Sequence, residues 1–138
     1  MNKKSLICIL GLGSLAFGQV NKTVSYFPLN QVALSESVFC KAMQTDKNYI
    51  MSLDPDRLLA PYLKEAGLNP EKQNYPNWEN TGLDGHIGGH YLSALALMYA
   101  STGDVKVKQR LDYMIDKLER CQDLSGNGYF SGVPNGKK

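Results

Sequence analysis

The two histidines of the chain lie four residues apart, in a glycine-rich segment that begins at its single tryptophan. The segment, residues 78–91, reads WENTGLDGHIGGHY. Residues four apart share one face of a helix, so His86 and His90 could ligate a metal or donate hydrogen bonds to hydroxyl groups. The spacing is weak evidence for a metal, because Ile87 stands where a zinc protease motif places its glutamate.

Sugar binding is the chemistry that this segment favours. Asp84 can accept paired hydrogen bonds from sugar hydroxyls, and Trp78 offers an apolar face to a sugar ring. A structural interpretation competes with it, in which Asp84 caps the following helix and the histidines bond to neighbouring loops. The sequence therefore predicts a substrate-binding set composed of His86, His90, Asp84 and Trp78.

The acids of this segment are Glu79 and Asp84, and paired carboxylates commonly carry out glycoside hydrolysis. Five residues of loop do not fix the separation of two carboxylates. We expect instead that one of them caps the helix and the other is solvated or bonds to the loop. Phosphate loops, dinucleotide fingerprints, nucleophile elbows and EF-hand motifs are absent from the sequence, which thus predicts neither a catalytic residue nor a metal site.

Helices must position these side chains, and the spacing of apolar residues predicts four of them. Ser35 is expected to cap the first and Asp54 the second, with Pro55 as a first helical residue and a local ion pair over 54–57. An extended segment over 19–35 precedes them. Residues 67–84 are predicted to form a long irregular loop. The predicted helices span 36–53, 55–66, 85–102 and 105–121.

The third helix is apolar nearly all round over residues 91–100, whereas the fourth has one apolar face. A helix that is apolar on every side is normally enclosed by other helices. Alternation of an enclosed helix with a half-buried one indicates a concentric helical barrel. Four helices are too few to enclose the third, so we expect an all-α fold that comprises the first helices of an incomplete toroid.

The length of 138 residues allows one domain, and its first 18 residues are typical of a secretory signal peptide. Lys3 and Lys4 precede an apolar run over 5–17, and a retained membrane anchor is the alternative interpretation. Removal of this leader lowers the basic residues from 15 to 13, against 13 acidic ones. A neutral mature chain, secreted or periplasmic, argues against nucleic acid or a membrane as a partner.

Two cysteines remain after the leader, Cys40 and Cys121. Both lie on apolar stripes of predicted helices, which favours buried thiols. A disulfide between them stays open, because secreted proteins can form one.

Several strings in the sequence resemble glycoside hydrolase family 127 and its relative family 146, the β-L-arabinofuranosidase-like proteins. They are SLDPDRLLAP at 52–61, WE at 78–79, GLDGHIGGHYLSALALMYA at 82–100, CQD at 121–123 and GNGY at 126–129. The resemblance covers most of residues 25–135. Its longest string is far more specific than the histidine spacing alone.

The resemblance implies an (α/α)6-barrel catalytic domain followed by β-sandwich domains, in a secreted bacterial enzyme that attacks arabinose-containing plant glycans. It also implies retaining hydrolysis by a zinc-held cysteine thiolate, with one glutamate among the zinc ligands and another as the acid/base. In the family these groups lie in later barrel helices, so zinc is expected in the full-length enzyme and no cofactor in this chain. Cys40 and Cys121 do not match the nucleophile.

Residues 19–138 would then be the N-terminal part of such a catalytic domain, inactive alone, with an oligosaccharide or glycan as its substrate. A small secreted carbohydrate-binding or interaction module without catalysis is the alternative. A lyase or an unsaturated-uronide hydrolase built on a helical barrel is a third interpretation, and the neutral mature charge argues against its polyuronide substrate.

Overall fold

Four α-helices organise the protein, whose computed structural model describes residues 24–136. They are α1 (Val38–Ser52), α2 (Pro55–Glu65), α3 (His86–Thr102) and α4 (Val105–Ser125). Two short 3₁₀ helices, Leu29–Gln31 and Asn77–Asn80, supplement them. All regular structure within residues 24–136 is helical, which confirms the all-α class. The predicted signal peptide lies outside the described residues.

The helix starts follow local capping chemistry. Asp54 caps α2 by accepting from the Asp56 amide at 3.1 Å, as predicted. Ser35 does not cap α1. Ser37 occupies that position and accepts from the Cys40 amide at 3.3 Å, because its side chain reaches the first turn. The last helix runs to Ser125, beyond the predicted end at residue 121.

The prediction of a local ion pair within residues 54–57, at the start of α2, is wrong. Asp54 pairs with Lys72 of the following loop, with 2.7 Å between Oδ2 and Nζ. The guanidinium of Arg57 lies 4.1 Å from the ring centroid of Tyr75 and donates to the Gln73 carbonyl. These contacts fix the beginning of the 67–84 loop against α2.

The core lies between α2, α3 and α4. Its fully buried side chains include Leu58 and Leu59 of α2, Leu95 of α3 and Met114 of α4. Arg110 of α4 donates to the Leu53 carbonyl at 2.8 Å, and so joins α4 to the end of α1.

The third helix is buried on one face only. Tyr91, Leu95 and Met98 face the core, while 59% of Leu97 is exposed. An apolar groove of about 530 Å³ separates α3 from α1, and the segment around Leu29 lines its edge. Residues 24–136 therefore do not enclose α3, as expected for the first helices of an (α/α)6 barrel.

Among the described residues, Cys40 and Cys121 are free thiols, so the disulfide left open above is not formed between them. Cys121 is buried as predicted, and its burial raises the pKa of the thiol. Cys40, in the first turn of α1, is only half-buried, which differs from the prediction of a buried thiol.

Within residues 24–136, no helix is both long enough and apolar enough to cross a bilayer.

Candidate functional site

A buried glutamate defines the start of α3. Glu79 is 0% exposed, and its carboxylate accepts from the amides of Gly85 at 2.9 Å and Ile87 at 2.7 Å. These amides belong to the first turn, where N–H groups lack partners within the helix and favour negative charge. Glu79 therefore caps α3 from a distance.

Asp84 does not cap α3, in contrast to the structural interpretation above. Gly85, at a φ of +86°, takes the N-cap position, where a residue with a side chain would be strained. Asp84 accepts instead from the Gly82 amide at 3.0 Å and from the Asn74 side chain at 3.2 Å. This confirms the expectation that one acid caps the helix and the other bonds to the loop.

The loop that carries these acids is more ordered than predicted. It includes the 3₁₀ helix Asn77–Asn80, which places Trp78 and Glu79 side by side on one turn. The buried Asn74 side chain donates to the Glu79 carbonyl and accepts from Lys64 Nζ of α2 at 2.7 Å. The loop is thus fixed to α2 on one side and to α3 on the other.

Three of the predicted substrate-binding residues form a row of rings. The centroid of Trp78 lies 6.0 Å from that of His86, and His86 lies 4.9 Å from His90 in an edge-to-face arrangement. All three side chains are exposed, 60% in the case of Trp78. The row offers an apolar face and imidazole donors to solvent, which is a suitable surface for a sugar.

Asp84 lies beside this row, in a groove of about 360 Å³ that His86 also lines. The opposite side of the groove comes from the chain after α4, residues 130–133. His86 therefore borders both features: the row of rings on one side and the groove on the other. The structure brings the four predicted residues into one region.

The segment after α4 is anchored by close backbone contact. A Cβ atom on Gly132 would lie 2.8 Å from the Asp84 carbonyl oxygen and 2.8 Å from Gly85 Cα. Tyr62 of α2 supports the same point, because its hydroxyl donates to the Gly85 carbonyl and its ring lies 6.0 Å from that of Phe130. Only a glycine permits this approach, so the segment is a fixed part of the region.

The side chains present do not fit the zinc centre that the resemblance implies. In the part of the chain that the structure describes, no group of three or more His, Cys, Asp or Glu side chains could hold a metal. The raised thiol pKa of Cys121 opposes the thiolate form that zinc ligation requires. Glu79 is excluded as a solvent-accessible acid because it is 0% exposed and both of its carboxylate oxygens accept from backbone amides.

Sequence reasoning did not identify which of the two acids caps α3, and it missed the wall made by residues 130–133. The sequence signals for a cap lie at the residue just before a helix, whereas Glu79 lies in the preceding 3₁₀ helix, separated from α3 by a loop. The pair of glycines, 85 and 132, was the available signal for the second contact, but nothing in a single sequence links them.

Comparison with known protein families matches residues 31–138 to the family described as β-L-arabinofuranosidase, GH127 catalytic domain. The matched range includes all four helices and every residue of the region described above. A search of curated proteins found no match to the chain.

Proposed function

The chain belongs to the family of GH127 β-L-arabinofuranosidase catalytic domains, and on this premise we propose that it is part of a secreted glycoside hydrolase. The proposed substrate is the terminal L-arabinofuranosyl residue of plant-type glycans. The family match over residues 31–138 is the observation that carries this proposal. Secretion or export to the periplasm rests on the leader-like residues 1–18.

The substrate side of this enzyme is assigned to His86, His90, Asp84 and Trp78. Exposed imidazoles can donate to sugar hydroxyls, and the Asp84 carboxylate can accept from them. The exposed indole of Trp78, 6.0 Å from His86, gives the sugar an apolar surface beside these polar groups. These residues bind and orient the sugar. The bond-breaking groups are not assigned among residues 24–136.

The purified 138-residue chain is therefore expected to show no turnover of a chromogenic L-arabinofuranoside. The cysteine chemistry implied for the family finds no fitting residue set in residues 24–136, since Cys121 is buried and Cys40 lies apart from any ligand group. Release of the chromophore by the zinc-free chain, above a boiled control, would overturn this part of the proposal.

A longer family member that contains the same GLDGH…GHYL string provides the test of the binding residues. Replacing the histidine equivalent to His90 by alanine is expected to lower kcat/KM by roughly 5- to 150-fold at an unchanged Tm, since a lost substrate hydrogen bond costs about 1–3 kcal/mol. Alanine at the position of Ser93, exposed one turn further along α3, is the control. A lower Tm with normal kinetics would assign the histidine to structure instead.

A carbohydrate-binding module without catalysis is the second candidate function. The exposed row of Trp78, His86 and His90 favours it, because binding by these rings needs no further residue. The module predicts a chain that stays monomeric, with a cooperative thermal transition. The catalytic-domain proposal predicts that the isolated chain associates through its exposed apolar surface, which is the outcome that we expect. Both candidates predict glycan binding, so the mass of the chain in solution separates them.

A further inference from the structure

We propose that the groove between the start of α3 and residues 130–133 is a subsite for an uncharged sugar ring, with the Phe130 ring as its stacking surface. The inference rests on the proposed function and extends it. It adds residues 130–133, which include none of the four assigned residues, as a second wall of the substrate-binding region.

The groove is preformed by contacts on both of its sides. Glu79 fixes the wall that carries Asp84 and His86, through its bonds to the Gly85 and Ile87 amides. Gly132 fixes the other wall, because its backbone lies directly against Gly85. The walls are therefore already ordered before a ligand binds, and binding loses little further conformational entropy.

Phe130 is placed to contact a ligand. The residue lines the groove and is 43% exposed, and its ring lies 6.0 Å from that of Tyr62 between centroids. A partly exposed aromatic ring held beside another ring offers an apolar surface that loses little side-chain entropy on binding. The apolar C–H face of a furanose or pyranose ring matches such a surface.

The polar groups across the groove indicate an uncharged ligand. Asp84 supplies a carboxylate acceptor and His86 an imidazole, while none of the described residues that line the groove is lysine or arginine. A sugar acid would therefore place its carboxylate near Asp84 with no cation to balance it. Neutral hydroxyls, in contrast, can donate to Asp84 and accept from or donate to His86.

The single tryptophan of the chain is a built-in reporter for this test. Trp78 lies 6.0 Å from His86, so a ligand that displaces the imidazole will change indole fluorescence. Titration of the full chain at low micromolar concentration with an L-arabinofuranose trisaccharide is expected to saturate. The same titration with a galacturonic acid trisaccharide is expected to give no saturable change.

The variants Phe130→Leu and Phe130→Tyr separate stacking from folding. Leucine retains apolar volume but lacks an aromatic face, and should weaken trisaccharide binding roughly three- to tenfold, the range that an aromatic ring contact contributes. Tyrosine retains the face and should bind as wild type does. Phe39→Leu, at an exposed phenylalanine of α1, is the matched control and should also bind normally.

The outcomes distinguish failure of the subsite alone from failure of the proposal on which it rests. If Phe130→Leu binds the trisaccharide as tightly as wild type does, the subsite is overturned. The assignment of the four substrate-binding residues is then unaffected. Equal binding of the acidic trisaccharide would overturn the preference for an uncharged ring. A wild-type chain that gives no saturable change with arabinofuranose would overturn both the subsite and the sugar-binding assignment.

Discussion

At the residue scale, Glu79 determines where the candidate site lies. The buried carboxylate accepts hydrogen bonds from two backbone amides at 2.7–2.9 Å. These bonds orient the first turn of α3, which carries His86. Charge-assisted hydrogen bonds of this kind are stronger than neutral ones, and a buried carboxylate that lost them would be costly. The site therefore depends on a residue that does not itself face the ligand.

Replacing Glu79 by glutamine is expected to lower the free energy of unfolding by about 1–3 kcal/mol. The amide keeps one acceptor, but its NH₂ group would face a backbone N–H in a buried position. Thermal unfolding followed by circular dichroism at low micromolar protein measures the effect. Glu119→Gln, at an exposed position of α4, is the control, and equal Tm changes in the two variants would contradict the assigned cap.

Local chemistry explains which residue assignments could be made from sequence. Asp54 caps α2 as predicted, and Asp104 caps α4 by the same contact, because each side chain reaches an amide two residues ahead. The prediction of Ser35 as the cap of α1 is wrong, because Ser37 has the same side chain two residues later and is the observed cap. Glu79 was placed only as one of two acids, because its partners depend on how the whole loop folds.

At the element scale, polar contacts join helices that are distant in sequence. The Tyr113 hydroxyl of α4 donates to Asp56 of α2, and Lys47 of α1 pairs with Asp104 at 2.9 Å. Helix positions over 55–65 and 86–102 followed from periodicity and caps, with errors of a residue or so at the ends. The contacts between helices could not be predicted in this way, because side-chain periodicity identifies the buried face of a helix but not the helix that packs against it.

The contact between α2 and α4 predicts a stability change in alkaline solution. The hydrogen bond to Asp56, with partial burial as the second cause, raises the pKa of Tyr113 from 10.0 to about 12. A folded-state pKa above the unfolded value means that this stabilisation is complete below pH 10 and is lost as pH rises through about 12.

Tyr113→Phe is therefore expected to reduce the loss of Tm between pH 10 and pH 12 relative to wild type. Thermal melts at intervals across this range measure the difference. Tyr49→Phe, at a tyrosine that is 64% exposed, should follow the wild-type curve. Parallel curves for wild type and Tyr113→Phe would show that the Asp56 contact does not stabilise the fold.

At the scale of the whole molecule, the described residues leave large apolar side chains exposed. Leu97 in the middle of α3 is 59% exposed, and Val38 and Phe39 at the start of α1 are 72% and 71% exposed. The apolar groove between these two helices is partly open, and Leu29, Val32 and Leu34 of the preceding segment also line it. Apolar surface of this extent marks a face that other protein surface normally covers, as in the enclosed inner helices of a barrel.

Leu97→Lys is expected to shift the isolated chain from associated species toward monomer, with its helical content retained. A charge in the middle of the exposed face raises the cost of covering it. Size-exclusion chromatography with light scattering measures the mass. Gln109→Lys adds the same charge at an exposed polar position of α4, away from this face, and should leave the association unchanged. A wild-type chain that is monomeric throughout would contradict the exposed-face account.

Hydrogen exchange with mass spectrometry, in the presence and absence of an L-arabinofuranose oligosaccharide, tests the central claim most directly. The claim is that the start of α3, held by Glu79, is the sugar-facing part of this glycosidase-family chain. The account predicts added protection in peptides that cover residues 78–91 and 129–133, with little change in α1. Protection confined to the apolar groove between α1 and α3, or none at residues 78–91, would contradict it.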